Sequence, residues 1–190
     1  MTNKNIANPW KILSSKKVYE SPFIKVYEDK VVTPEGKRGL HNIIEGGGGS
    51  SGGVCVAAID AYRNIFLTKQ YRYAYGDFSL EVVGGRIDEG VSPLVAAKTE
   101  LKEEAGFLAV RWTKIGETLM GTESFRNVTH LYLAEGIKVL DADYHGENKM
   151  TVSKMPLENA VQMVLKGEVV HTTSAYMILL VDKFLNKHDI

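Results

Sequence analysis

The sequence predicts an α+β fold in which a central mixed β-sheet is flanked by helices on both faces, an α/β/α sandwich with antiparallel strands ahead of it. Three observations carry that expectation. Short β-branched and aromatic runs punctuated by Gly, Pro and Asn fill the first third of the chain. A capped helical pattern interrupts the strands near the middle, and two more helical patterns close the chain. Strands and helices interleaved in this order bury both sheet faces most simply under separate helical layers.

Taken in order, residues 16–44 read as strands. Val18-Tyr19, Phe23–Tyr27, Val31-Val32 and Leu40–Ile44 are the apolar runs, with a turn at Pro34-Glu35-Gly36. The stretch Gly46–Gly53 is glycine and serine only and reads as a loop between strands, because no Lys-Ser/Thr pair or helix follows to make it a phosphate cradle. Val54–Asp60 and Ile65–Tyr71 form a hairpin about Arg63-Asn64. Gly84-Gly85 reads as a glycine turn after a strand. Ser92-Pro93 then starts a helix, since serine can cap the first amides and proline suits the first helical position. Gly106 ends it, and Leu94, Ala97 and Leu101 give its apolar stripe. Val110–Met120 and Val128–Ala134 are further strands. Pro156 opens a helix with Leu157, Ala160, Val161 and Val164 on one face, ending at Gly167. Thr172-Thr173-Ser174 caps a last helix carrying Ile178, Leu179, Val181, Phe184 and Leu185.

With 190 residues and no internal repeat, the chain is long enough to bury a core without disulfides. Residues 1–45 are expected to be N-terminal strands and 46–190 the main domain, packed as one unit. Lys plus Arg equal Asp plus Glu, so the formal net charge is zero and nothing recommends a nucleic-acid polymer as partner. The single Cys55 lies in an apolar run and reads as a buried thiol. One cysteine, no apolar leader and no membrane-length run lead to the expectation of a soluble cytoplasmic protein.

Glu100, Glu103 and Glu104 stand at i, i+3 and i+4 near the end of the central helix. Like charges at this spacing repel by roughly 0.2–0.5 kcal/mol per pair. Acids in a last turn also oppose the helix dipole, at about 0.3–1 kcal/mol each. Lys98 and Lys102 offset only part of this. A solvated acidic helix end is the plain reading; a divalent-cation site is the sharper one, because Mg²⁺ takes carboxylate oxygens, water and substrate phosphates. Downstream of the hairpin, Tyr71, Tyr73, Tyr75 and Phe78 offer stacking surface or a subunit interface, and Arg72 offers charge for a phosphate.

Residues 85–107 resemble the Nudix box: Gly, five residues, Glu, seven residues, then Arg-Glu-aliphatic-any-Glu-Glu-any-Gly-aliphatic. Gly85, Glu100, Leu101, Glu103, Glu104, Gly106 and Phe107 match, while Val91 stands in place of Glu and Thr99 in place of Arg. The flanks Ile65–Tyr73, Leu80-Glu81, Ser21–Asp29 and Leu131–Gly136 are similar to the ADP-ribose and nucleoside-diphosphate-sugar pyrophosphatase branch, so the likeness runs from about Trp10 to Leu185. Val82-Val83 replaces the usual Pro-Ala ahead of the glycines.

The resemblance implies a Nudix fold and hydrolysis of a nucleoside diphosphate derivative to a nucleoside monophosphate and a sugar phosphate, with Mg²⁺ or Mn²⁺. It implies Glu100, Glu103 and Glu104 as metal ligands together with the carbonyl of Gly84, and Glu103 and Glu104 in catalysis. The catalytic base is expected from a loop at 141–149, where Glu147 is the candidate and His145 reads as plain loop. Arg72, Tyr71 and Glu81 are expected on the substrate. So is Phe23, which with Tyr27 would meet a partner subunit if the chain forms the homodimer common in this branch. A nucleotide-binding module that has lost turnover, and a hydrolase of a dinucleotide or coenzyme, are the alternatives. Val91, Thr99 and the shifted register of Glu147 favour the former; retention of three mutually repelling carboxylates argues against it.

Overall fold

The computed structural model describes residues 7–46, 52–140 and 150–186. It divides into two compact units.

The first unit is a three-stranded antiparallel sheet in the order β1 (Lys11–Glu20), β2 (Ile24–Val32) and β3 (Arg38–Gly46). Residues 119–127 belong to it: Ile44 donates its N–H to Ser124 O at 2.8 Å, and Arg126 returns one to Ile44 O at 2.9 Å. All of β1 is exposed, including Ile12, Leu13, Val18 and Tyr19. The sequence reading missed its first half, because Lys11–Ser15 has no alternation of apolar and polar residues.

The second unit holds β4 (Gly53–Ile59), β5 (Asn64–Arg72), β6 (Asp77–Glu81), β7 (Val83–Arg86), α1 (Pro93–Ala105), β8 (Phe107–Leu119), β9 (Val128–Val139), β10 (Thr151–Pro156), α2 (Leu157–Leu165) and α3 (Thr172–Asn186). Its sheet runs β10-β5-β4-β9-β8, with β6 against β5 and β7 against β4. The sheet is mixed: β4 is parallel to β9 and antiparallel to β5 and β7.

Strand β4 shows why helices cover both faces. Strand side chains alternate, and both sets of β4 are buried. Cys55, Ala57 and Ile59 pack with Leu157, Ala160, Met177, Ile178 and Val181 from α2 and α3. Val54, Val56 and Ala58 pack with Ala96, Ala97 and Leu101 from α1. Leu101 is fully buried, so truncating it to Ala would cost about 2–5 kcal/mol. The β4–β5 turn forms around Asp60, whose Oδ1 accepts from the amides of Tyr62 and Asn64 at 2.9 Å. Arg63 there takes the left-handed conformation, at φ 59°.

Two sequence readings are corrected. The Gly84-Gly85 turn is strand β7, paired so that Cys55 faces Gly84 and Val54 faces Gly85. Thr172, Thr173 and Ser174 lie inside α3 rather than capping it, and Ser174 is turned inward against the β6–β7 junction, where its Oγ accepts the Val82 N–H at 3.1 Å.

Candidate active site

Helix α1 is fixed at both ends. Ser92 Oγ accepts the Val95 N–H, Pro93 opens the first turn, and Gly106 at φ 67° returns its N–H to the carbonyls of Leu101 and Lys102. Ala96, Ala97, Leu101 and Ala105 are buried beneath it. That seating sets the acidic residues of its last turns against β7.

The two glycines of β7 serve different neighbours. A Cβ on Gly84 would stand 2.7 Å from Val54 O and 3.2 Å from Cys55 Sγ, so strand pairing and the thiol leave it no room. A Cβ on Gly85 would overlap the carboxylate of Glu100, whose Oε2 lies 2.6 Å from that position. Glycine here makes the seat into which Glu100 folds. Next to it, the Gly84 N–H donates to Glu104 Oε2 at 3.1 Å. Glu103 is exposed. Among the described residues no three His, Cys, Asp or Glu side chains gather as a ready-made metal cluster. The acidic helix end is therefore two glutamates laid on a strand backbone and a third facing outward.

Burial pushes the Glu104 carboxyl above the ordinary range; the Gly84 amide and Arg72 offset part of this, and the Glu81 charge adds to it. Glu81 is the charged centre of the neighbouring cluster and is only 2% exposed. Arg72 holds it in a two-point fork, Nε to Oε1 at 2.8 Å and Nη2 to Oε2 at 2.5 Å. Burial opposes ionisation of Glu81, but hydrogen bonds from Arg72 and Ser79, with the charges of His171 and Arg72, hold its carboxyl below the usual range. A buried acid paired this well is costly to uncouple, because the lone charge would stay desolvated.

Arg72 and Glu81 line a cavity of about 340 Å³ together with Tyr75, Ser79, His171 and Thr172. A larger crevice of about 480 Å³ runs between Tyr62-Arg63 and helices α2 and α3, and none of the expected site residues lines it.

Of the residues expected from sequence, Glu100, Glu104 and Gly84 come together, and Arg72 and Glu81 meet within electrostatic reach of Glu104. Tyr71 is exposed and packs edge-to-face on Phe78 at 5.5 Å, outside the cavity lining, where Tyr75 stands instead. Phe23 is an exposed residue of the first unit. Glu147 and His145 lie outside the described residues. Cys55 is buried, and burial, reinforced by Glu81 and Glu104, pushes its thiol up to about 12. Val91 packs against the α1-side core, whereas Thr99 is exposed. Sequence reasoning missed His171 and Ser174, because nothing local to residues 171–174 points at a glutamate ninety positions earlier.

The donor set suits a hard cation. Glu100 occupies a cradle that any Cβ would fill, and Glu104 is a half-buried carboxylate whose ionised form is disfavoured by burial and by the Glu81 charge.

Residues 50–168 match the family model described as NUDIX domain, and residues 10–44 match the nucleoside diphosphate sugar hydrolase N-terminal domain. The chain is 27% identical over 170 residues to an ADP-ribose pyrophosphatase of Bacillus subtilis (strain 168), spanning 88% of this chain and 90% of that protein. It is 28% identical over 172 residues to an ADP-ribose pyrophosphatase of Mycobacterium tuberculosis (strain ATCC 25618 / H37Rv), spanning 89% of this chain and 81% of that protein. A crystal structure of an ADP compounds hydrolase shares the fold, with a TM-score of 0.80 at 20% identity over 94% of this chain and 95% of that one.

Proposed function

This chain belongs to the Nudix family, in its ADP-ribose and nucleoside-diphosphate-sugar branch, and we propose that it is a pyrophosphatase for ADP-ribose or a closely related nucleoside diphosphate sugar. Nudix hydrolases generally use divalent metal ions. The observation that carries the reading is the juxtaposition of two elements: Glu100 and Glu104 laid on Gly85 and Gly84, and the Arg72–Glu81 fork beside Glu104.

Glu100, Glu104 and the Gly84 carbonyl would hold Mg²⁺ or Mn²⁺, with Glu103 reaching in directly or through water. The bound ion supplies neutralisation of phosphate oxygens and acidification of water. Arg72, already oriented by Glu81, adds positive charge for the diphosphate at the cavity. Tyr75 lines the same cavity and offers an aromatic face to the organic part, with Tyr71 and Phe78 on the neighbouring surface. In the reaction a water oxygen bonds to one phosphorus as the bridging P–O bond breaks. The proton of that water passes to a carboxylate, for which Glu147 and Glu103 are the candidates. A nucleoside monophosphate and a sugar phosphate leave. We assign the N-terminal part of the chain, residues 1–45, to a homodimer contact made through the exposed strand β1 and Phe23, with the half-buried Tyr27 beside them.

Val91 and Thr99, which stand where the box has Glu and Arg, favour the second reading, a nucleotide-binding module without turnover. One experiment separates the two. The protein is incubated with Mg²⁺ and a panel of ADP-ribose, other nucleoside diphosphate sugars, dinucleotides and coenzyme diphosphates, and products are identified by chromatography. Formation of AMP and ribose phosphate from ADP-ribose, or the equivalent pair from a related sugar, supports the proposal. Binding without cleavage across the panel overturns it.

A further inference from the structure

We propose that His171 is a positioning residue that acts through Glu81 to aim Arg72. The inference rests on the reading of the Arg72–Glu81 cavity as the diphosphate-binding side of the site.

Arg72 is the last residue of β5 and its side chain is 45% exposed. A long side chain at a strand end samples many rotamers unless something stops it. Glu81 does so, and its carboxylate must itself be prevented from turning. Arg72 grips both of its oxygens from one side. From α3's approach, His171 Nδ1 stands 3.3 Å from Oε2.

His171 is in turn anchored. Its Nδ1 lies 2.8 Å from Ser174 Oγ, and Ser174 is completely buried. The same Oγ accepts the N–H of Val82, the residue that follows Glu81. A closed circuit results: Glu81, the Val82 amide, Ser174, His171, and back to Glu81.

The circuit also places a proton on Nδ1, whether the ring is neutral or an imidazolium. An ionised carboxylate has no proton to give, so a bare Nδ1 lone pair aimed at Oε2 would be repelled. The proton therefore sits on Nδ1, shared between Glu81 and Ser174, and the Ser174 hydroxyl receives the Val82 N–H as well. Nε2 makes no hydrogen bond to a described residue, and the ring lines the cavity beside Arg72. With Glu81 held by Arg72, Ser79 and His171 together, the Arg72 donors not engaged by Glu81 hold one orientation toward a phosphate. Arg72 also influences Glu104 electrostatically, so its aim bears on the metal side of the site too.

The test compares His171→Leu, which removes the donor, with His171→Asn, whose amide N–H can replace Nδ1–H. Two readouts are taken: steady-state kinetics on Mg²⁺ and ADP-ribose, and the ¹⁵N–¹H resonance of Arg72 Nε, identified by its loss in Arg72→Lys. His171→Leu should raise KM by about tenfold with kcat changed by less than about threefold, and the Arg72 Nε proton should lose its protection from exchange. His171→Asn should bring both back to within about threefold of wild type. The proposal is overturned if the Arg72 signal in His171→Leu stays as protected as in wild type. It is equally overturned if His171→Asn fails to restore protection while both variants lose the same melting temperature, the mark of a packing role only. Should wild type cleave nothing in the diphosphate panel, the functional reading falls and the Arg72 signal alone still decides the role of His171.

Discussion

Replacing Gly85 with alanine isolates the seat of Glu100 from the rest of the fold. Gly85 does not have a left-handed φ, so alanine is acceptable to the backbone of β7. Gly→Ala at a compatible position stabilises by about 0.4–1 kcal/mol through the unfolded chain. The added Cβ would overlap the Glu100 carboxylate, most severely at Oε1 and Cδ, with Oε2 the farthest of the three at 2.6 Å. An ordinary contact requires the carboxylate to retreat by more than about 1 Å, and a displacement of about 1 Å already costs a catalytic site roughly 10²-fold in rate. The expected variant is thus as stable as wild type in chelator, or higher by about 1–4 °C, yet about 100-fold slower and in need of more Mg²⁺. Gly84→Ala is the contrast: its Cβ meets the backbone oxygen of Val54 at 2.7 Å, which overpacks the β4–β7 pairing and costs about 1–3 kcal/mol. Melting curves in chelator and Mg²⁺-dependent hydrolysis are measured on both. If Gly85→Ala turns over within about threefold of wild type at the same Mg²⁺ requirement, the seating of Glu100 on β7 has no part in catalysis.

Glu104→Gln keeps an acceptor for the Gly84 amide but removes a charge that burial disfavours. Because the folded carboxyl titrates above its unfolded value, its ionisation lowers stability as pH rises through that range, so the glutamine variant should gain on wild type at neutral pH in chelator and lose that gain in acid; removing the charge from the last turn alone is worth about 0.3–1 kcal/mol. Turnover of the same variant should nearly vanish, and a large loss of metal-free stability would instead make Glu104 a structural partner. Cys55, with its thiol pushed up to about 12 under the sheet, should resist a disulfide exchange reagent in the native protein at pH 8 and react once in denaturant; fast native labelling would contradict its placement. Val91→Glu should destabilise by about 1–3 kcal/mol, since it sets a carboxylate against apolar neighbours, whereas Thr99→Arg on the exposed face should be near neutral; if the double variant is more active than either single one, the two positions are coupled through Glu100.

Much of this arrangement was legible in the sequence because it is local. Ser92, Pro93 and Gly106 bound a helix by capping chemistry alone, and the i, i+3, i+4 glutamates follow from helical geometry. Strand β4 was legible as a continuous apolar run. What escaped depends on pairing. Thr151–Pro156 becomes a strand because it pairs with β5 from Asn64 to Lys69, and no alternation announces it. Gly84-Gly85 looks like a turn by composition, yet each glycine answers to a neighbour distant in sequence, the Val54 carbonyl or the Glu100 carboxylate. His171 and Ser174 belong to the Glu81 circuit only once α3 has docked.

The central claim is that Glu100 and Glu104, laid on Gly85 and Gly84, hold the divalent ion. Titration with Mn²⁺ followed by electron paramagnetic resonance measures this without assuming a substrate. Wild type should show saturable Mn²⁺ binding that Gly85→Ala and Glu104→Gln each weaken by about tenfold or more. Binding of unchanged strength and number in both variants would contradict the account.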